Sequence, residues 1–348
     1  MEKMATSEKN ELIQHYSIQI SNLKKEIGRV IVGQEHMIDS IIYALLSDGH
    51  ILLEGVPGLA KSLAVETLAK TLEGSYQRIQ FTPDMLPFDI IGAVVLNQKT
   101  QEFEPKFGPI FNNFILADEL NRTSPKTQSA LLQAMQEREV SIEKKTYTLE
   151  RPFMVLATMN PLEQAGVYPL AEAQIDRFML KVNIGYPSKD ELMKLLELKN
   201  SDFEDIKKDV KKVMSLEDVK KIQNLIHKNV YANDRVREYI IDLCINTQPP
   251  HTRNKIDVTA EDFNPKNWVT NYENLKMGSS PRGAEYLQAV AKTHAFIQGR
   301  NYVTLDDVAY VAKDVLRHRT VLSRVADRAE VNEDSILEEI LQKTKLPK

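Results

Sequence analysis

Five side chains in the first half of the chain have the types and spacing to act on a phosphoanhydride. Lys61 and Ser62 close the run Ile51-Leu-Leu-Glu-Gly-Val-Pro-Gly-Leu-Ala-Lys-Ser62. Asp118 and Glu119 close Asn113-Phe-Ile-Leu-Ala-Asp-Glu119, and Asn160 closes Phe153-Met-Val-Leu-Ala-Thr-Met-Asn160. A lysine that follows a Gly/Pro loop would reach the β- and γ-phosphates of a nucleotide, and the next hydroxyl, Ser62, would bind Mg²⁺. Asp118 would hold that Mg²⁺ through water, and Glu119 would polarise the water attacking the γ-phosphate. Asn160 would hydrogen-bond the same water or the γ-phosphate, although asparagine before proline is also a plain turn signal. Two arginines further on are candidates. Arg177 is either surface charge beside Asp176 and Glu172 or an arginine finger for a neighbouring subunit's γ-phosphate. Arg282, in Ser280-Pro-Arg-Gly283 at a helix start, is a candidate lid arginine reaching the nucleotide.

These residues need strand tips and a helix N-terminus to hold them. Ile51, Leu52 and Leu53 read as a buried strand that Gly55 ends; Pro57 and Gly58 shape a tight loop. Lys61 and Ser62 then begin a segment with helical spacing at Leu63, Ala64, Leu68 and Ala69. Backbone N–H groups of such a strand–loop–helix face an anion. Gly55, Val56, Pro57, Gly58, Leu59, Ala60, Lys61, Ser62 and Leu63 are therefore the phosphate-binding candidates. Ala60 stands where the strict G-x-x-x-x-G-K-[ST] pattern has glycine, so by itself the stretch also reads as an ordinary strand–helix turn. Asp118 and Glu119 end an apolar run 57 residues after Lys61, at the strand end where open α/β sheets bind ligands.

Helical spacing over residues 11–27 predicts an N-terminal helix, and Ile38, Ile41, Ile42, Leu45 and Leu46 a second. Between them, the turn Val30-Ile-Val-Gly-Gln34 is either a helix linker or, by resemblance to P-loop proteins with this order of elements, a turn that sets Val32 and Gly33 beside the adenine. Tyr76-Gln-Arg-Ile-Gln-Phe81 reads as a strand. Ile90-Ile-Gly-Ala-Val-Val-Leu96 and the segment from Phe103 to Phe107 read as one inserted hairpin, and residues 140–149 as another. Charges cancel on the first hairpin, which marks an interaction surface or pore element rather than a basic arm, and the second is only weakly positive. After Gly185-Tyr-Pro187 helical signals dominate, with capping-box patterns at Ser188, Ser215 and Thr304. Residues 246–277, polar and containing Trp268, read as a long loop or inserted element.

The 348 residues suffice for two domains, and 42% apolar with 27% charged residues is an ordinary globular composition. A formal charge of −4 gives no general attraction to nucleic acid or anionic membrane. Cys244, the single cysteine, sits in an apolar helical context and reads as a buried thiol. No stretch approaches the roughly 20 apolar residues that span a bilayer, and residues 1–10 lack a signal-peptide core. The expectation is a cytoplasmic protein without direct membrane insertion.

Taken together these residues resemble the MoxR branch of the AAA+ ATPases from about residue 28 to 322. That family's loop reads G-x-P-G-x-A-K-[ST], as Gly55 to Ser62 does, so Ala60 resembles a family marker. Phe81-Thr-Pro-Asp-Met-Leu-Pro87, Ala117-Asp-Glu-Leu-Asn-Arg122, Lys126-Thr-Gln-Ser-Ala-Leu-Leu132 and Ala157-Thr-Met-Asn-Pro161 match in order. Glu172-Ala-Gln-Ile-Asp-Arg-Phe178, Ser280-Pro-Arg282, Gly299-Arg-Asn-Tyr-Val-Thr304 and Val315-Leu-Arg-His-Arg319 continue the match. The resemblance implies Walker-A, Walker-B and sensor-1 roles for Lys61, Asp118/Glu119 and Asn160, with Arg177 as arginine finger and Arg282 as sensor 2. Three departures stand out: Met159 replaces a commoner Gln, the turn Glu143-Lys-Lys145 lacks the usual glycine, and residues 249–277 are longer than usual.

The expected fold class is α/β. It comprises an AAA+ P-loop NTPase core, with a parallel sheet flanked by helices and carrying β-hairpin insertions, followed by an all-helical lid domain. The expected boundaries are an N-terminal helix at 1–28, the core at 29–186, and the lid at 187–348 with its insertion near 246–277. The expected function is that of a Mg²⁺-dependent ATPase: a homo-oligomeric ring, preferentially a hexamer, that remodels protein clients in a chaperone-like way. By resemblance those clients include von Willebrand factor A-type partners. A non-hydrolysing nucleotide-dependent scaffold or switch is the alternative from another class, with metal-chelatase and DNA-motor subunits as relatives to exclude.

Overall fold

The structure, a computed structural model, describes residues 6–56, 58–160, 166–200, 203–249 and 272–347. Pro57, Trp268 and most of the expected 246–277 insertion lie outside the described residues. The chain forms two compact units. One spans Ile18–Phe178 and Val182–Asn224; the other spans Leu225–Lys348 together with Met179–Lys181 and Met1–Ser17.

In chain order, helix α1 (Thr6–Val30) and α2 (Glu35–Leu46) precede β1 (Ile51–Glu54), α3 (Lys61–Leu72) and β2 (Tyr76–Gln80). Then come α4 (Pro87–Ile91), β3 (Gly92–Leu96), β4 (Phe103–Phe107), β5 (Phe114–Asp118) and α5 (Pro125–Glu137). β6 (Glu139–Ile142), β7 (Lys145–Thr148), β8 (Met154–Met159), α6 (Glu172–Ile175) and β9 (Leu180–Asn183) follow. Five strands make one sheet in the order β2-β5-β8-β1-β9, and β2/β5, β5/β8 and β1/β8 run parallel.

The central strands are apolar up to their C-terminal ends because both faces are covered. Leu52, Ile115, Ala117, Val155 and Ala157 share a core with Leu131, Leu132 and Met135 of α5, while α2 packs on β1 and α3 on β2 and β5. Each fully buried large side chain contributes about 1.5–3 kcal/mol, and Phe81, Phe114 and Phe178 are inaccessible to solvent. That rigid sheet leaves the C-terminal ends of β1, β5 and β8 side by side.

Two hairpins leave the sheet. β3 pairs with β4, Leu96 opposite Phe103, and β6 with β7, Ile142 opposite Lys145. The first is shorter than its apolar pattern suggested. Ile90 and Ile91 belong to α4, not to the strand, because Pro87 starts a helix and the Asp89 carboxylate caps it by accepting from the Leu86 N–H at 2.8 Å. At the second hairpin, Glu143 takes the left-handed conformation (φ 53°) that glycine usually supplies.

Packing carries the first unit past the change of character at Gly185 to Pro187. It includes α7 (Lys189–Asn200), α8 (Phe203–Lys208) and the start of α9 (Leu216–Asn229). The other unit contains α10 (Asp234–Asn246), α11 (Pro281–Ile297), α12 (Leu305–Leu316), α13 (Arg324–Arg328) and α14 (Glu333–Lys343). Among its described residues from Leu225 onward, it is helical apart from short 3₁₀ turns and an antiparallel ribbon of β10 (Leu275–Met277) and β11 (Val321–Leu322). A capping box starts α12: Thr304 accepts from the Asp307 N–H, and the Asp307 carboxylate accepts from the Thr304 N–H at 2.7 Å. Burial raises the Asp307 pKa, but hydrogen bonds from Arg300, His294 and Thr304 outweigh it and hold the carboxyl well below its usual range. No helix among the described residues is long and apolar enough to cross a membrane.

Candidate active site

The loop after β1 folds tightly for local reasons. Gly55 passes so close to the next chain segment that a Cβ there would stand 2.7 Å from the Ile184 carbonyl oxygen. Gly58 lies at φ 87°, where L side chains are strained. Ala60 also takes a left-handed conformation, φ 58° and ψ 16°, immediately before α3. For a non-glycine residue this costs roughly 1–2 kcal/mol, so the backbone at Ala60 still has the shape of the glycine that the strict pattern places there. Lys61 then begins the helix, and its Nζ donates to the Gly55 carbonyl at 2.5 Å. Burial lowers the Lys61 pKa; Asp118, Glu54 and Glu119 oppose that shift without cancelling it.

Asp118 and Glu119 end β5, and Thr158 on the adjacent β8 ties them together. The Thr158 hydroxyl donates to Asp118 Oδ1 at 2.6 Å and accepts from the Glu119 N–H at 2.9 Å. Glu119 sits at φ 57° and ψ 48°, an unfavourable conformation held by these neighbours. From the other side, Arg78 of β2 donates to Asp118 Oδ2 through Nη2 at 2.6 Å and Nε at 3.1 Å. Gln80 donates to Glu119 Oε2 at 2.6 Å, and Arg122 pairs with the same oxygen at 3.1 Å.

Lys61, Ser62, Asp118, Glu119 and Asn160 all line one cavity of about 420 Å³, together with Gly55, Gly58, Leu59, Ala60 and Leu63. A second cavity, also about 420 Å³, opens on the other side of the loop. Gly58, Leu59, Ala60 and Leu63 line both. Its remaining walls are mostly apolar: Val30 at the end of α1, Ile31 and Val32 from the turn before α2, with Leu192, Leu195 and Leu196 from α7. A charged, hydroxyl-bearing chamber thus adjoins a greasy one across a glycine-containing loop.

Not every candidate reaches these chambers. Val32 lines the apolar cavity, but Gly33 turns away beside Glu191, and Val56 lines neither. Arg177, half-buried after α6, lines neither cavity and makes no side-chain ion pair among the described residues, Asp176 and Glu172 included. Arg282 occupies the first turn of α11, in the other compact unit. Thr158, Arg78, Gln80 and the α7 leucines escaped the sequence reading. Only the tertiary register supplies them: β2 sets Gln80 opposite Asp118, and β8 sets Ala157 opposite Ala117, so that Thr158 follows beside Asp118.

Comparison with known proteins agrees with this geometry. Residues 50–180 match the model of the ATPase family associated with various cellular activities (AAA), and residues 271–340 match that of the AAA lid domain. The chain is 41% identical over 322 residues to "Chaperone MoxR1" of Mycobacterium tuberculosis, covering 92% of this chain and 81% of that protein. It belongs to the MoxR family of AAA+ ATPases. This MoxR-family chain is also 40% identical over 325 residues to the Bacillus subtilis protein YeaC, at 93% coverage of each. Among solved structures it matches a crystal structure of a candidate ATPase from Cytophaga hutchinsonii with a TM-score of 0.86. That match has 42% identity and covers 98% of both chains. Family membership makes it a nucleotide-binding ATPase with a chaperone-like role.

Proposed function

We propose that this protein is a Mg²⁺-dependent ATPase that works in the cytoplasm as a homo-oligomeric ring, a hexamer, and remodels partner proteins. The observation that carries the reading is the pair of chambers joined at Gly58 to Leu63. The apolar chamber takes the adenine against Val32 and the α7 leucines, and the polar one takes the phosphates against Lys61 and the N-terminus of α3. Ser62 and Asp118 offer hard oxygen donors in the polar chamber, a set that suits Mg²⁺. Among the described residues no three His, Cys, Asp or Glu converge as a metal cage, and Mg²⁺ shared between one or two protein oxygens and phosphate requires none. When bound there, Mg²⁺ neutralises charge on the phosphate oxygens.

Glu119 accepts a proton from the attacking water, and Asn160 orients that water or the γ-phosphate. Arg177 acts in trans on the site of the next subunit, a role supported by its lack of a side-chain ion pair among the described residues. Arg282 reports the γ-phosphate from the lid. The client is a protein, with von Willebrand factor A-type domains as the partner class. Supporting a protein surface, Leu86, Phe88, Val95, Leu96 and Phe103 are exposed on and beside the β3–β4 hairpin. Fluorescent-nucleotide binding and steady-state turnover test the site together. Lys61→Ala is expected to abolish binding, and Glu119→Gln to bind ATP without turnover. Normal hydrolysis by Glu119→Gln would remove the role assigned to Glu119.

A further inference from the structure

Arg78 belongs to none of the roles above, yet it occupies Asp118. Two of its N–H groups converge on Asp118 Oδ2, at 2.6 and 3.1 Å. The other oxygen already accepts the Thr158 hydroxyl. Arg78 lines the same chamber as Lys61 and Ser62, and its side chain is 50% exposed where that of Asp118 is 17%. The same guanidinium donates to Gln80 Oε1 at 2.6 Å, so its position is fixed from two sides.

We propose that Arg78 is a tethered counter-cation of Asp118 that competes with a divalent cation for this carboxylate. Arg78 thereby sets the Mg²⁺ concentration at which the site loads. The inference rests on the reading of Asp118 as the Mg²⁺ carboxylate. Two cations contend for one oxygen: the arginine is always present because it is part of the chain, whereas Mg²⁺ is present in proportion to its concentration. The fork of two N–H groups onto one oxygen is a charge-assisted contact stronger than a single ammonium would make. Its exposure keeps the contact weak enough to yield.

The test is a Mg²⁺ titration of fluorescent-ADP binding at fixed nucleotide, with free Mg²⁺ buffered by EDTA, for wild type, Arg78→Gln, Arg78→Lys, Asp118→Asn and the Arg78→Gln/Asp118→Asn pair. Arg78→Gln is expected to lower the Mg²⁺ midpoint by about 3- to 10-fold, with Arg78→Lys between it and wild type. Binding in EDTA is expected to stay at the wild-type level, and Arg78→Gln to have no effect once Asp118 is Asn. An unshifted midpoint would overturn the proposal, as would weaker binding in EDTA, which would make Arg78 a phosphate ligand instead. A Lys61→Ala control that still binds nucleotide would mark failure of the nucleotide-site reading itself, separately from that of Arg78.

Discussion

Replacing Thr158 by valine removes one oxygen atom and almost no volume, from a residue that is 2% exposed. That oxygen makes two contacts: it donates to Asp118 Oδ1 at 2.6 Å and accepts from the Glu119 N–H at 2.9 Å. A hydrogen bond to a charged group is worth roughly 1.5–3 kcal/mol, and a buried N–H left unmet costs about 1–3 kcal/mol. Arg78 keeps Asp118 partly satisfied, so the expected loss of stability is about 2–4 kcal/mol by urea unfolding. The functional loss should be larger in proportion. Glu119 is held in a left-handed conformation next to this bond, and a displacement of about 1 Å at a reacting group costs on the order of 100-fold. Turnover is therefore expected to fall about 10- to 100-fold, with nucleotide affinity little changed because Lys61 and the loop are intact. Thr158→Ser, which keeps the hydroxyl and loses a methyl, should retain turnover and cost about 1 kcal/mol. A valine variant within about 0.5 kcal/mol of wild type and fully active would refute the claim that this hydroxyl holds the carboxylate pair.

Two further predictions concern the frame around the site. His50 is buried between β8 and α5, accepting from the Val155 N–H at its Nδ1, with its Nε2 3.0 Å from the Met135 carbonyl. Burial, aided by the Arg138 charge, pushes its pKa down to about 3 from 6.5. The unfolded chain therefore binds a proton that the folded protein refuses, and stability falls as pH drops from 6.5 toward 3. The expected loss is about 2 kcal/mol between pH 7 and 5, measured by urea unfolding, and His50→Gln should flatten that slope. In the helical unit, Arg317 pairs with buried Asp314 at 2.9 Å and with Asp334 at 2.6 Å. Arg317→Met should destabilise by about 3–5 kcal/mol, and adding Asp314→Leu should recover much of it, as seen in thermal melts.

What the sequence made legible was whatever a single segment encodes. The unbroken apolar runs at Ile51, Phe114 and Met154 announce strands buried on both faces, and the polar residue ending each run marks the C-terminal edge of the sheet. Extended segments on either side of a polar or charged turn made both hairpins visible. Local competition hid α4, because Ile90 and Ile91 look extended until Pro87 and the Asp89 cap are considered together. The contacts that fix the carboxylates stayed hidden for a different reason. Arg78, Gln80 and Thr158 come from strands far apart in sequence, brought beside Asp118 and Glu119 by parallel register. Similarly, Leu192, Leu195 and Leu196 carry an ordinary helical stripe, and only the fold turns it toward the loop after β1.

The central claim, that Glu119 of one subunit and Arg177 of the next complete a single hydrolytic site, is tested most directly by mixing two inactive variants. Glu119→Gln lacks the base and Arg177→Ala lacks the finger, so each is expected to be inactive alone. In a mixed ring, an Arg177→Ala subunit keeps its own Glu119 and receives Arg177 from a Glu119→Gln neighbour. An equimolar random mixture places that arrangement at about one interface in four, so turnover should recover to about a quarter of wild type. A mixture as inactive as its parts, under conditions where the two variants assemble together, would contradict the shared site.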